Sequence, residues 1–401
     1  MDDGHEEYDD LRRQFRYLKE SPDYEPGPRR DLMNLRLTSR AACKAASPLF
    51  FQEFDARLPT SEGKLVAANW RQRLVEFSQR PWIEHVKTLR VGTGRAGKSC
   101  AVKTAYDPAW GEAFFAAAAD AAPHFTEACS ALRTIRFDYD FEEDADEIEH
   151  ERNLTILTIH ATLAQSSPTL RTLAITLPFT SHFGSLYEEI SRTPSSQALL
   201  SRLENLSVEC SNFYSPAGTG LWRFLQLVPG VKALAIRMTH IVDFPYLSTV
   251  SFTSLRELHL EYVKISGKKL GQVAQESAHS LREIRFNFVE LTSGTWAGAF
   301  QAFSELPSLL DFRMDTCYYL GAENSFLDRL TLHEEHGTAF LESKHRQDYD
   351  ALRELRRHVN ALRAARALEP YVEAEYLYRP TPRVLERNYA DDDDPWAFGV
   401  G

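Results

Sequence analysis

Leu255–Leu260 reads LRELHL and Leu281–Phe286 reads LREIRF. In both stretches apolar side chains occupy the first, fourth and sixth places, so the end of each alternates apolar, polar, apolar. That alternation has the period of a β-strand, whose successive side chains point to opposite faces. Outward from this pair the same pattern returns on both sides. Upstream it is VKALAI (Val231–Ile236), LENLSV (Leu203–Val208), LRTLAI (Leu170–Ile175), LRTIRF (Leu132–Phe137) and VKTLRV (Val86–Val91); downstream it is LLDFRM (Leu309–Met314). From Val86 onward successive starts lie 46, 38, 33, 28, 24, 26 and 28 residues apart. LDRLTL (Leu327–Leu332) is a candidate further copy that begins only 18 residues after the eighth.

The last four intervals fall in the window of about 20–29 residues expected of leucine-rich repeats, and the longer early ones imply insertions. One such unit cannot bury its own apolar face. Stacked side by side, the units make a parallel sheet on a concave face, with segments such as Lys269–Ser277 and Trp296–Leu306 returning as helices on the convex face. The expected class is therefore α/β, a leucine-rich-repeat solenoid over residues 61–335. Residues 1–28 read as a charged N-terminal segment and linker, 29–60 as a short helical segment, 336–369 as a C-terminal capping helix and 370–401 as a charged, Pro-containing disordered tail. A doubly wound sheet is the competing reading, and the recurring LR-x-[LI] core weighs against it.

In residues 29–60, Leu32, Leu35, Ser39, Ala42, Cys43 and Ala46 share one helical face before Ser47-Pro48 stops the helix. By composition alone this is a generic amphipathic helix. Yet DLMNLRLTSRAACKAASPLF (Asp31–Phe50) resembles the second half of an F-box, and with the repeats from Trp82 to Leu332 the chain resembles fungal F-box/leucine-rich-repeat proteins. The resemblance implies a substrate receptor of a Skp-cullin-F-box ubiquitin ligase, a protein-protein interaction module and not an enzyme. Leu32, Leu35 and Leu37 would pack the F-box and grip the ubiquitin-ligase adaptor, while a protein substrate lies on the concave face. The sequence departs from the family at several places. EEYDDLRRQFRYLKESPDYEPGP (Glu6–Pro28) replaces the opening Leu-Pro element and first helix, Ala42 stands where an aromatic is usual, and no consistent Asn or Cys ladder follows the strands, with Ser211 and Val263 at those places. A repeat scaffold unrelated to ubiquitin is the second reading.

A net charge of −11 makes the summed field repel phosphate backbones and anionic lipid, so neither nucleic acid nor membrane is an expected partner. The five cysteines (Cys43, Cys100, Cys129, Cys210, Cys317) are far apart, odd in number and form no C-x-x-C pair, which excludes a disulfide framework and a thiolate metal site. With no apolar N-terminal leader and no apolar run of about 18–20 residues, a cytoplasmic or nuclear location is expected.

Gly92–Ser99, GTGRAGKS, fits the phosphate-loop pattern G-x-x-x-x-G-K-[ST], in which Lys98 would reach the β/γ-phosphates and Ser99 would hold Mg²⁺. A nucleotide-binding switch is thus a third reading. Against it, the following CAVKTAYDPAW breaks at Asp107-Pro108, no apolar strand ending in Asp follows, and Lys87 and Arg90 suit a half-exposed strand better than a buried central one. His333–His336, HEEH, leaves a metal two ligands short, so no metal or cofactor is expected. The acidic run Asp138–Glu151 reads as a solvated insertion. Leu352, Leu355, Val359 and Leu362 form a stripe that would cover the last repeat.

If the strands stack in register, the residues between the apolar anchors form columns. The middle one runs Arg90, Arg136, Ala174, Ser207, Ala235, His259, Arg285, Arg313; the one before ends in Glu257, Glu283 and Asp311, and the one after in Arg237, Glu261, Asn287 and Asp315. The candidate partner-binding residues are Arg237, His259, Glu261, Arg285, Asn287, Arg313 and Asp315. Arg285 and Arg313 are expected to carry most of the contact energy, with their double alanine variant losing the partner while staying folded.

Overall fold

The computed structural model describes residues 53–58, 79, 81–93, 131–138, 156, 159, 160, 163, 169–177, 180–210, 219–243, 252–319, 341, 343 and 345–371. The chain divides into two units, Met1–Phe50 with Arg379–Gly401 and Phe51–Tyr378, and every described residue belongs to the second. Its strands are β1 (Glu53–Leu58), β2 (Thr88–Thr93), β3 (Thr134–Asp138), β4 (Thr172–Leu177), β5 (Asn205–Cys210), β6 (Ala233–Asp243), β7 (Glu257–Ile265), β8 (Glu283–Leu291), β9 (Asp311–Asp315) and β10 (Tyr318–Tyr319). They form one sheet in which β1 to β8 follow each other in space as in sequence, and β9 and β10 both pair with β8. Every pairing is parallel.

The sequence spacing of the motifs varies, yet their junctions are alike. The carbonyl of the second motif residue accepts from the backbone N–H groups of the second and third residues of the next motif. Lys87 O does so for Arg133 and Thr134, Glu204 O for Lys232 and Ala233, and Arg282 O for Leu310 and Asp311; the same pair of bonds links all the consecutive motifs between. The first residue of every motif, from Val86 to Leu309, is at most 2% exposed. Between these anchors the fourth-place side chains line up as Leu89, Ile135, Leu173, Leu206, Leu234, Leu258, Ile284 and Phe312, one row of the core. Insertions therefore leave the strand register intact, because only the connections absorb the extra length.

The helices are α1 (Thr180–Ser191), α2 (Pro194–Leu200), α3 (Thr219–Leu225), α4 (Gly267–Glu276), α5 (Trp296–Ser304) and α6 (Arg346–Ala365). α4 and α5 fall where the sequence placed helices, and each begins with a hydroxyl cap: Ser266 accepts from Lys269 N at 3.3 Å and Thr295 from Gly298 N at 3.1 Å. Their buried faces, Leu270, Val273 and Ala274 on α4 and Trp296, Phe300 and Phe303 on α5, close over the strands. Phe286 and Phe312 meet the α5 aromatics at centroid distances of 5.9–6.2 Å, tilted or edge-on.

α1 and α3 approach until backbone meets backbone. A Cβ added to Gly220 would lie 2.5 Å from Gly184 N and 2.8 Å from Gly184 Cα. Gly220→Ala is therefore expected to push the two helices apart and lower stability by about 1–3 kcal/mol, read as a lower urea midpoint with an unchanged slope.

The C-terminal helix α6 buries Tyr349, Leu352, Leu355 and Val359; Leu362, from the expected stripe, is only half-buried. It also meets backbone carbonyls at and just before the last motif. His358 Nε2 lies 3.0 Å from Leu306 O and Arg363 donates to Leu310 O at 3.1 Å. Buried Asp348 accepts from Ala297 N at 2.8 Å in the first turn of α5, from the Tyr319 hydroxyl at 2.6 Å and from the Ser343 hydroxyl.

Three expectations change. Residues 53–58, read as part of a helical segment, are strand β1, paired with β2 from Glu53↔Thr88 to Leu58↔Thr93. The sequence signal was present, since FQEFDA (Phe51–Ala56) carries the same apolar-x-x-apolar-x-apolar pattern, with Phe54 and Ala56 paired with Leu89 and Val91. Arg90, expected to be half-exposed, is 1% exposed, unlike Arg285 and Arg313 of the same column. Gly92 and Thr93, the first two residues of the phosphate-loop match, are still within β2, and Gly92 pairs with Asp138. The rest of that match lies outside the described residues, as do Leu32, Leu35 and Leu37, the acidic run beyond Asp138, LDRLTL and HEEH. Among the described residues no helix is long and apolar enough to cross a membrane.

Candidate protein-binding face

The core side of each strand is apolar by alternation, so the polar residues between the anchors must occupy the other side. The register places them in the columns expected from the sequence. Ala235, His259, Arg285 and Arg313 stand side by side, as do Arg237, Glu261, Asn287 and Asp315. Glu257, Glu283 and Asp311 form a third column. Parallel neighbours lie about 4.8 Å apart, so a column of like charges survives only if opposite charges interleave.

They do. His259 Nε2 donates to Glu283 Oε1 at 2.9 Å, and Arg285 reaches the same oxygen at 2.6 Å and Asp311 Oδ2 at 3.7 Å. Arg313 Nε donates to Asp311 Oδ1 at 2.9 Å. In the next row Arg237 lies 3.6 Å from Glu261, and Asn287 Nδ2 donates to Glu261 at 3.1 Å. Further along the strands Lys264 pairs with Glu290 at 3.3 Å. The carboxylates are the deep members: Glu283, Asp311, Glu261 and Glu290 are each at most 3% exposed. At that depth an unpaired charge would cost several kcal/mol, so the pairing is a condition of folding.

Arg285 and Arg313, expected to be the main contact residues, thus have partners inside the chain. Burial works against the Arg313 charge, but the adjacent Asp311 carboxylate outweighs it and raises the pKa. Tyr371, which follows α6, completes the edge: its hydroxyl accepts from Arg313 at 3.3 Å, and its ring lies under the guanidinium of Arg363 at 3.7 Å.

Glu257, His259 and Glu283 present ligand atoms within 4.8 Å of one another. A metal there would have to displace the Arg285 guanidinium from Glu283, so the arrangement acts as an ion-pair ladder. Burial lowers the His259 pKa despite the Glu283 hydrogen bond, with Arg285 and Arg237 also disfavouring the cation. The unfolded chain therefore takes up this proton at a higher pH than the folded one. The stability contributed is present above about pH 6.5 and is lost as the pH falls through the lowered folded value. His259→Gln should flatten the decline of the urea midpoint between pH 7 and pH 5; an unchanged decline would remove His259 as its source.

Sequence reasoning missed Tyr262 and Phe288, whose rings stack at 4.5 Å and 5° beside these columns. The signal was present, since each aromatic stands two places after the last apolar residue of its motif.

A scan against protein-family models and a search of curated proteins both return no match for this chain. Its class is defined by fold and face: an α/β protein with a sequentially ordered parallel sheet, one side of which carries an interleaved ladder of buried carboxylates and partly exposed cations.

Proposed function

We propose that the chain is a leucine-rich-repeat solenoid that binds a protein partner on the polar side of its sheet, without chemistry of its own. The carrying observation is the identical hydrogen bonding of consecutive motifs, which aligns polar columns across strands from distant parts of the chain. Such a surface presents charge and shape in fixed geometry over several strands, which suits an extended protein surface better than a small molecule. The resemblance of Asp31–Phe50 to an F-box supports the narrower reading of an F-box-like substrate receptor, with Leu32, Leu35 and Leu37 on the ubiquitin-ligase adaptor. The deciding experiment is a pull-down with purified adaptor. Capture by the intact chain, lost in Leu32→Asp/Leu35→Asp with an unchanged circular-dichroism spectrum, establishes the receptor. No capture by a folded chain leaves a repeat scaffold unconnected with ubiquitin, a reading that Ala42 and the strand beginning at Glu53 favour.

A further inference from the structure

Beside the ladder that neutralises Arg285 and Arg313, three adjacent strands share an unusual backbone feature. β7, β8 and β9 each carry a non-glycine residue in the left-handed backbone region at the same register place: Tyr262 (φ 54°), Phe288 (φ 50°) and Thr316 (φ 47°). Each directly follows a member of the row Glu261, Asn287, Asp315. Left-handed backbone is unfavourable for aromatic and β-branched side chains, and glycine or asparagine would relieve it. The three stand side by side, and the half-buried rings of Tyr262 and Phe288 stack in parallel. Strain of this kind concentrates where a surface is shaped for a ligand.

Asp315 stands next to this corner. Its neighbouring partner is Thr316, whose hydroxyl donates to it at 3.1 Å, and among the described residues no cation pairs with it. Its pKa is raised by burial, as befits a half-buried carboxylate that lacks a counter-ion. Among the described residues around it are Glu257, Glu261, Glu283, Glu290 and Asp311 against Arg237, Lys264, Arg285, Arg313 and, at the edge, Arg363, so with Asp315 the acidic groups outnumber these cations and the local field favours positive charge.

We infer that the corner formed by Asp315 and the Phe288 ring, which Tyr262 backs by stacking on its other side, receives an arginine side chain from a basic segment of the partner protein. The inference rests on the protein-binding reading of this face and gives that partner its chemistry. A planar guanidinium can donate two parallel hydrogen bonds to the Asp315 carboxylate while lying against an aromatic face, a combination that a lysine ammonium does not match.

The test is fluorescence anisotropy of the full chain with labelled alternating Gly-Arg, Gly-Lys and Gly-Glu octapeptides. The Gly-Arg peptide should bind most tightly. Asp315→Asn and Phe288→Leu should each weaken it about fivefold or more. Asp350→Asn, which removes an exposed carboxylate on α6, should leave it unchanged within about twofold. Asp315→Asn removes an unpaired charge and keeps an acceptor for Thr316, so its thermal midpoint should not fall below that of the parent chain, and lost affinity would not reflect unfolding. Equal weakening by Asp315→Asn and Asp350→Asn would mean general attraction to a negative protein and overturn the inference. Preference for the Gly-Glu peptide would also overturn it, while leaving the face a protein-binding surface. Binding of no peptide overturns it as well, and the adaptor pull-down judges the receptor reading separately.

Discussion

Asp348→Ala is expected to be among the most destabilising single changes in the chain. The carboxylate is 1% exposed and accepts from Ala297 N, the Tyr319 hydroxyl and the Ser343 hydroxyl, joining α6 to the start of α5 and to β10. Hydrogen bonds to a charged acceptor contribute about 1.5–3 kcal/mol each and do not add fully, so the loss should be about 3–5 kcal/mol. The charge also sits at the N-terminal end of α5, where the helix dipole favours an anion. Asp348→Asn keeps an acceptor but not the charge and should cost clearly less. Because the damage is local, amide exchange should show α6 losing protection before the strands do. Equal protection in parent and variant would mean that α6 is held by its apolar face alone.

Arg285→Ala/Arg313→Ala is expected to lower stability by about 3–5 kcal/mol, since it strips the cations from two carboxylates that stay buried. Asp311 is 2% exposed and loses both arginines; Glu283 is 3% exposed and loses Arg285, while its partner His259 has a lowered pKa. The expectation from sequence is a double variant that loses its partner while staying folded; the buried carboxylates add a cost in stability to it. The diagnostic is rescue: adding Glu283→Gln and Asp311→Asn removes the stranded charges and should restore a substantial part of the urea midpoint. If the double variant melts with the parent, the ladder is not a condition of folding, and both arginines return as candidate contact residues. Any loss of partner by the double variant must be read beside its stability.

The columns of the face are legible in the sequence because strand period and motif spacing together leave one way to align the copies. A slip of one residue would turn Leu258, Ile284 and Phe312 from the core to the outside. β1 is legible by the same pattern but more faintly, since FQEFDA has phenylalanines and an alanine at the anchor places, and its pairing with β2 fixes its place. The ion pairing is not legible. Sequence shows that Arg285 lies beside acidic neighbours, but not that Glu283 is buried while the guanidinium reaches it at 2.6 Å. The left-handed backbone at Tyr262, Phe288 and Thr316 leaves no local sign either, because none of the three is a residue that favours it.

The sequence by itself determined the α/β class, the strand positions of the repeated motifs, their register and the identity of the polar columns. These follow from short-range periodicity, which sets the direction of every side chain along a strand. Tertiary structure alone decided which charges are paired and buried inside the chain. Burial and ion-pair geometry depend on distances between strands that are 24 to 46 residues apart in the chain, and no local pattern encodes those distances.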